Sequence, residues 1–392
     1  LLERLARQTA PPGTFEVALV DDGSDPPLEA PARELPFALT LLRQENAGPA
    51  AARNRGLEAV RADLVLILND DCVPSDDLVE KHLAAHAELG DGVAVLGTFG
   101  FTERSKESAF TRLLEDSTLL FAYPALEHGG RYGWDVFWTC NISLDAQAIR
   151  DVGGFDAERF DRAICEDVEL GARLASRGLS VVYREDCVAH HEHRMDPVEY
   201  MDRAFTLGIY QCRLGAKFGQ AHLLFPPGAF GSDGGPGEGL HDTVRRLEAN
   251  ALESLDALME VEDVFEARPM PDETVRDARE VVVQHSQFFR LAGLYFELTG
   301  KDLRPTAHLD AVRARRDARH AARSIRSAGA PSVPAPGSAT APSAAAPSEA
   351  GPSEVDPAGA SPSRPASASP VRSGVRLSEL GPDAPELSIV VV

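Results

Sequence analysis

Apolar runs alternate with stretches of helical spacing over the first part of the chain. Three of the apolar runs have the length of buried strands, and they occupy residues 15–20, 37–42 and 64–68. A loop and a helix, residues 46–60, separate the second run from the third. Strands that alternate with helices in this way predict an α/β fold with a mostly parallel sheet flanked by helices.

The same alternation continues to about residue 215. Further strands are predicted at residues 93–101, 135–144 and 180–186, and a helix that begins near residue 165 is expected to end at Gly178. We therefore predict one domain over residues 1–215.

The pattern changes after this domain. We predict a flexible connector at 216–240, a small helical region at 241–327, a disordered Ala/Pro/Ser-rich linker at 328–378 and the start of a second module at 379–392. The last residues, LSIVVV, have the pattern of an apolar strand.

Two acidic clusters follow predicted strands. Asp21 and Asp22 end the first strand, and Asn69, Asp70 and Asp71 end the third. Asp and Asn are common in turns, which is one explanation. Carboxylates also hold hard divalent cations, which is the other. Ligands bind at the carboxyl ends of parallel strands, so the coincidence of two clusters there favours a site.

Composition restricts the function classes. The chain has 392 residues, is 43% hydrophobic and carries a net charge of −22, which disfavours nonspecific nucleic-acid binding. Its five cysteines form no CxxC pair, which indicates reduced thiols. This favours a cytoplasmic location, with the inner face of the membrane as the alternative. No apolar run has the length of a transmembrane segment, about 18 residues.

Several blocks together resemble glycosyltransferase family 2, whose members have the GT-A fold. In chain order they are VALVDDGSD, NAGPAAARNRGLEAV, LVLILNDDCVP, FWTCNISL, VGGFDAERF, CEDVELGARLASRGL and VAHHEH. The resemblance implies an inverting transferase that moves a sugar from a nucleotide-diphosphate sugar to a hydroxyl of a glycan or lipid-linked acceptor, with Mg²⁺ or Mn²⁺. It also implies a role in surface polysaccharide or glycan synthesis.

The resemblance assigns roles on the donor side. The donor-binding candidates are Asp21, Asp22, Arg53, Asn54, Asn69 and Asp70. Asp71 and His190 are the candidate metal ligands, although His191 and His193 are close in sequence. The family more often has Asp at the position of Asn69. Arg53 could equally form a structural ion pair.

Catalytic and acceptor roles follow from the later blocks. Asp167 matches the catalytic base, with Glu166 beside it in the same motif. Acids at a helix N-terminus also complement the helix dipole, so a structural role is the alternative. Trp138, Asn141 and Gly154 are the acceptor-binding candidates, although Trp is more often a core residue.

The family's opening strand is absent before residue 1, and LSIVVV resembles it. The chain is then either a piece of a tandem protein, or its last strand folds back to complete the sheet. A linker of about 50 residues spans roughly 40 Å, which is enough for the last strand to reach the sheet.

A catalytically silent nucleotide-sugar binding module is the alternative function. A nucleotidyltransferase lacks support, because no glycine- and lysine-rich phosphate loop follows the first strand.

Overall fold

A computed structural model of the chain describes residues 1–220, 225, 229–231, 235–248, 272–304, 310, 313, 314, 317, 318 and 385–392. Residues 1–313 and 371–392 form one compact unit, and residues 314–370 form another. The predicted linker at 328–378 lies outside the described residues, as does much of the predicted helical region. Everything below concerns the first unit.

The first unit is built on a nine-stranded sheet. Its strands are β1 Phe15–Asp21, β2 Ala38–Arg43, β3 Leu64–Leu68, β4 Cys72–Pro74, β5 Val93–Phe101, β6 Arg131–Tyr132, β7 Asn141–Asp145, β8 Ser180–His191 and β9 Leu387–Val391. The spatial order is β2-β1-β9-β3-β7-β5-β8-β4, and β6 pairs with β8 outside that path. Four neighbouring pairs are parallel: β1–β2, β1–β9, β3–β9 and β5–β8. The other four pairs, β3–β7, β4–β8, β5–β7 and β6–β8, are antiparallel. Six of the nine strands therefore run in the same direction, and the predicted mostly parallel sheet with flanking helices is confirmed.

Helices cover the sheet and extend beyond it. They are α1 Leu2–Leu5, α2 Pro49–Ala59, α3 Leu78–Leu89, α4 Ala109–Glu115, α5 Ala146–Asp151, α6 Glu166–Ala175, α7 Pro197–Phe218 and α8 Asp272–Thr299. Residues 240–248 are also helical. α4 lies between the strands predicted at 93–101 and 135–144, and α7 runs past the predicted boundary at residue 215. Among the described residues, no helix has both the length and the apolar character that a membrane span requires.

Strand β9 fills the central slot of the sheet between β1 and β3. Ile389 is opposite Val17 on one side and Leu66 on the other, both in parallel register. Every residue of β9 is buried. Ser388 donates from Oγ to Oε1 of the buried Glu16 at 2.7 Å, which fixes the register with a polar contact. The prediction that the last strand can complete this sheet is therefore confirmed, and the tandem origin stays a prediction.

A buried polar network joins the sheet to α3. His82 contacts Oγ of Ser143 through Nδ1 at 2.7 Å and Oδ1 of Asn141 through Nε2 at 3.0 Å. His86 also contacts the Ser143 hydroxyl at 2.8 Å. Burial lowers the pKa of His82 to about 3 and that of His86 to about 4, so both imidazoles are neutral members of the core.

Candidate active site

A cavity of about 650 Å³ opens where β3 and β8 end. Three groups of side chains from distant parts of the chain line it: Asn69 and Asp71 after β3, Glu166 and Asp167 at the start of α6, and His191 and His193 at the end of β8. We call this the donor cavity. A volume of this size is within the range of small-molecule sites.

The acids after β1 organise the loop beside the sheet edge. The amides of Ser24 and Leu28 donate to the carboxylate of Asp21 at 2.7 and 3.0 Å, and Arg43 pairs with it. The hydrogen bond from the backbone amide of Ser24 is the largest of the causes that lower the pKa of Asp21 to about 2. Asp22 accepts from the amides of residues 47 and 48, both at 2.9 Å. The turn-forming role of these acids is thus present, and their donor-binding role stays a prediction.

Arg53 and Glu166 form a buried ion pair in the wall of the cavity. Nη1 of Arg53 donates to Oε1 of Glu166 at 2.7 Å, and their side chains are 6% and 3% exposed. Nε of Arg53 and Oε2 of Glu166 are buried without a hydrogen-bond partner. The ion-pair alternative for Arg53 is present, and it ties α2 to the helix that carries Asp167.

The side-chain amide of Asn54 forms two hydrogen bonds with the loop before α6. Its Oδ1 accepts from the amide of Phe155 at 2.8 Å, and its Nδ2 donates to the carbonyl of Phe155 at 2.9 Å. Gly154 has φ of 74°, and a Cβ there would be 2.6 Å from Oδ1 of Asn54. The contact between Asn54 and this loop therefore requires glycine at position 154. Gly154 does not line the donor cavity. The assignments of Gly154 to acceptor binding and of Asn54 to donor binding both stay predictions.

An acidic and imidazole cluster lies at the end of β8. The ligand atoms of Asp71, His191 and His193 all lie within 4.8 Å of one another. Nε2 of His191 is 2.8 Å from Oδ2 of Asp71, whereas Oδ1 of Asp71 and Nδ1 of His191 are buried without a partner. Glu199 on α7 contacts Nε2 of His193 at 2.8 Å, in the way that carboxylates orient histidine ligands. These residues form a candidate metal site.

The choice of His190 as the metal ligand needs correction. Side chains alternate between the two faces of a strand, and His190 and His191 are consecutive on β8. His191 lies against Asp71, and Phe99 and Phe101 stack on its ring at centroid distances of 4.8 and 5.4 Å. His190 is therefore on the opposite face, and His191 replaces it as the candidate ligand.

Asp167 begins α6 at the wall of the donor cavity. Its carboxylate accepts from the amide of Val168 at 2.7 Å. Burial, followed by the charge of Glu166, raises the pKa of Asp167 to about 7. Cys165, the residue directly before α6, has φ of 66°, an uncommon conformation outside glycine that recurs at functional sites. Asp167 is thus a carboxylate that can exchange a proton near neutral pH.

The remaining candidates divide between the cavity and the core. Asn69 and Trp138 line the donor cavity, whereas Asp70 is exposed beside it. Asn141 is fully buried, and its amide donates to the carbonyls of Thr98 and Cys187 at 2.9 Å while accepting from His82. Its hydrogen bonds are used inside the sheet, and its assignment to acceptor binding stays a prediction.

Helix α7 contributes side chains that the sequence pattern did not assign. Glu199, Asp202, Arg203 and Thr206 all line the donor cavity. Arg203 is half-buried and donates to the carbonyl of Ala163 at 3.2 Å. The available signal was an amphipathic helix directly after the histidines, with polar residues at i, i+3 and i+4 from Glu199.

Comparisons with known proteins agree with the resemblance. Residues 1–151 match the family model described as Glycosyl transferase family 2. Validoxylamine A glucosyltransferase of Streptomyces hygroscopicus subsp. limoneus is 32% identical over 209 residues, which cover 45% of this chain and 45% of that protein. Succinoglycan biosynthesis protein ExoW of Rhizobium meliloti (strain 1021) is 32% identical over 189 residues, which cover 44% of this chain and 54% of that protein. The chain thus spans about half the length of these curated relatives.

Among solved structures, the mannosyltransferase PcManGT from Pyrobaculum calidifontis in complex with GDP-Man and Mn²⁺ aligns with a TM-score of 0.42 and 17% identity. The alignment covers 76% of this chain and 82% of that chain.

Proposed function

We propose, from the match of residues 1–151 to glycosyltransferase family 2, that the protein transfers a sugar from a nucleoside diphosphate sugar to an acceptor hydroxyl with inversion. Two features in one cavity carry the proposal, the Asp71–His191–His193 cluster and the carboxylate of Asp167. The similarity to a succinoglycan biosynthesis protein favours a glycan or lipid-linked acceptor and a role in polysaccharide synthesis.

Asp71 and His191, with His193, would hold a divalent cation, Mg²⁺ or Mn²⁺. The two buried atoms without a partner, Oδ1 of Asp71 and Nδ1 of His191, fit this role, because buried polar atoms are normally bonded. When bound, the ion supplies Lewis-acid stabilisation of the negative charge on the departing diphosphate. Asn69 in place of a third carboxylate lowers the negative charge of the site.

Asp167 would act as the general base. The acceptor oxygen forms a bond to the anomeric carbon, and the bond from that carbon to the phosphate oxygen breaks. The electron pair leaves with the nucleoside diphosphate, and the hydroxyl proton passes to the carboxylate of Asp167. Attack opposite the leaving group inverts the anomeric centre. The buried pair of Arg53 and Glu166 positions the first turn of α6, and therefore Asp167, against the donor.

The donor would lie between this edge and the loop after β1. Asp21 and Asp22 hold that loop, and together with Arg53, Asn54, Asn69 and Asp70 they are the residues we assign to donor binding. For Asn54 we expect an indirect role, through the backbone that it fixes at Phe155.

The reaction should slow in acid. Because the pKa of Asp167 is raised to about 7, the group becomes protonated below neutral pH and can no longer accept a proton. We expect kcat/KM to fall about tenfold per pH unit below 6 and to level off above 8. A pH–rate profile from pH 5 to 9 measures this, with circular dichroism at each pH as the control for folding. A flat profile across this range would exclude Asp167 as the titrating base.

Donor turnover tests the function without knowledge of the acceptor, since water can replace it slowly. UDP- and GDP-sugars are incubated with the protein and Mn²⁺, and release of UDP or GDP is measured. We expect one donor to be cleaved, and expect EDTA or Asp71→Asn to reduce the rate on the order of 100-fold. Asp91→Asn, an exposed acid in the loop before β5, is the matched control. Binding of a donor without any cleavage in wild type, at any pH, would favour the silent binding module.

A further inference from the structure

A second cavity, of about 500 Å³, adjoins the donor cavity. The two share lining residues that include Trp138, Asp167 and Arg203. The opposite wall of the second cavity comes from α7 and α8, through residues such as Gln211 and Arg290. Asp167 thus lies between two spaces, as a base must when it serves a donor on one side and an acceptor on the other. We call the second space the acceptor cavity.

Arg290 places a positive charge in this wall. Asp135 and Asp167 line the same cavity, but no carboxylate of the described residues forms an ion pair with Arg290. Its Nε is buried without a hydrogen-bond partner, and burial lowers its pKa. The guanidinium is 5.6 Å from the ring centre of Phe225, a contact with the ring face that gives Nε no hydrogen-bond partner. A half-buried cation without a counter-ion is costly, and an anion bound beside it would remove that cost.

The backbone holds Arg290 in place. Helices α7 and α8 cross with glycines at the contact, because a side chain on Gly208 would collide with the carbonyl of Arg290 and one on Gly293 with the carbonyl of Phe205. Such close contact fixes the base of the Arg290 side chain relative to α7. The charge is therefore presented by a rigid pair of helices, as a preorganised binding site requires.

Other side chains of the acceptor cavity suit a sugar. Trp134, Trp138 and Tyr200 supply aromatic surface, on which sugar rings can pack. Oε1 of Gln211 is buried without a partner and can accept a bond from a sugar hydroxyl. Arg203 makes no ion pair within the part of the chain that the structure describes. Its charge acts on Asp167 from a distance, and it adds a second cation at the boundary with the donor cavity.

We propose that this cavity binds the acceptor and selects one with an anionic group, a phosphate or a carboxylate, which pairs with Arg290 while the reacting hydroxyl reaches Asp167. The inference rests on the proposed function for the identity of the bound molecule as an acceptor. The anion selectivity itself rests on the charges and unpaired atoms of the cavity. Guanidinium groups bind phosphate and carboxylate through paired N–H donors, so both are tested.

The chain carries its own reporter for this test. Trp134 and Trp138 are its two tryptophans, and both line the acceptor cavity. Intrinsic fluorescence is titrated with glucose 6-phosphate, glucuronate and glucose. We expect the sugar phosphate, the sugar acid or both to bind at least about tenfold more tightly than glucose, the size expected for one charge-assisted hydrogen bond. The preferred anion identifies which group the cavity selects.

Arg290→Gln should remove the preference for the anionic sugar, and Arg290→Lys should retain part of it. Arg177→Gln, an exposed arginine just after α6 and outside both cavities, is the matched control and should bind like wild type. Equal affinity for glucose and both anionic sugars in wild type would overturn the proposal, whatever the folding of the variants. Retention of the full preference in a folded Arg290→Gln protein would do so as well.

Nucleotide binding separates this test from that of the proposed function. Manganese-dependent binding of UDP or GDP depends on the Asp71 cluster and should be unchanged in Arg290→Gln. Normal nucleotide binding with no anion preference would remove the acceptor inference alone. An anion preference without nucleotide binding would remove the transferase function, and with it the identification of the anionic molecule as an acceptor.

Discussion

We expect a protein that lacks residues 385–392 to lose cooperative folding. The deletion removes β9, whose four apolar side chains, Leu387, Ile389, Val390 and Val391, are fully buried. At about 1.5–3 kcal/mol each, they contribute about 6–12 kcal/mol, which is comparable with the whole stability of a typical domain, about 5–15 kcal/mol. The backbone groups of β1 and β3 that face the slot would also lose their partners.

Urea denaturation followed by circular dichroism measures this effect. Ile389→Asp, which buries a charge at the centre of the same strand, should cost more than about 4 kcal/mol in the free energy of unfolding. Glu386→Gln changes an exposed side chain beside β9 and should shift it by less than about 0.5 kcal/mol. Cooperative unfolding of the deletion variant at the wild-type midpoint would show that β9 is not part of the stable sheet.

Asp167→Asn should reduce sugar transfer by about 10²–10⁴-fold, the usual contribution of a general base. The amide keeps the shape of the side chain but cannot accept the hydroxyl proton. Nucleotide binding should be unchanged, because the Asp71 cluster lies on other segments, between β3 and β4 and at the end of β8. Steady-state kinetics with the cleaved donor, together with a nucleotide-binding titration, measures both quantities.

Asp156→Asn provides a control for the substitution itself. Asp156 precedes α6 and pairs with Lys217 at 2.6 Å, away from both cavities. We expect it to alter stability more than turnover. An Asp167→Asn protein with more than a tenth of the wild-type rate would show that another group accepts the proton.

The sheet could be predicted because most of its strands are short apolar runs bounded by polar or glycine-containing turns. The strand predicted at 93–101 coincides with β5. The position of β9 was only one of two alternatives, because an apolar strand at the end of a long linker can pair with any open edge within reach. Its register depends on contacts that no local pattern contains, such as the one between Ser388 and Glu16.

Site prediction was least accurate where one residue of register decides the outcome. His190 and His191 are the same residue type, and only the alternation of side chains along β8 directs His191 toward Asp71. Likewise, Asn141 lies in a block that resembles the family, but its side chain belongs to the core face of β7. The sequence pattern could place Asp71 and Asp167 in the cavity lining, because each lies at the end of a predicted element that faces the cavity. Asp71 follows β3, and Asp167 lies in the first turn of α6.

Calorimetric titration of UDP and GDP, with and without Mn²⁺, tests the central claim most directly, on wild type and on Asp71→Asn. The account predicts that one nucleotide binds at least about tenfold more tightly with Mn²⁺, and that Asp71→Asn removes the gain. Equal binding with and without the ion, unaffected by the substitution, would contradict it. The acidic turn after β3 would then be a structural feature only.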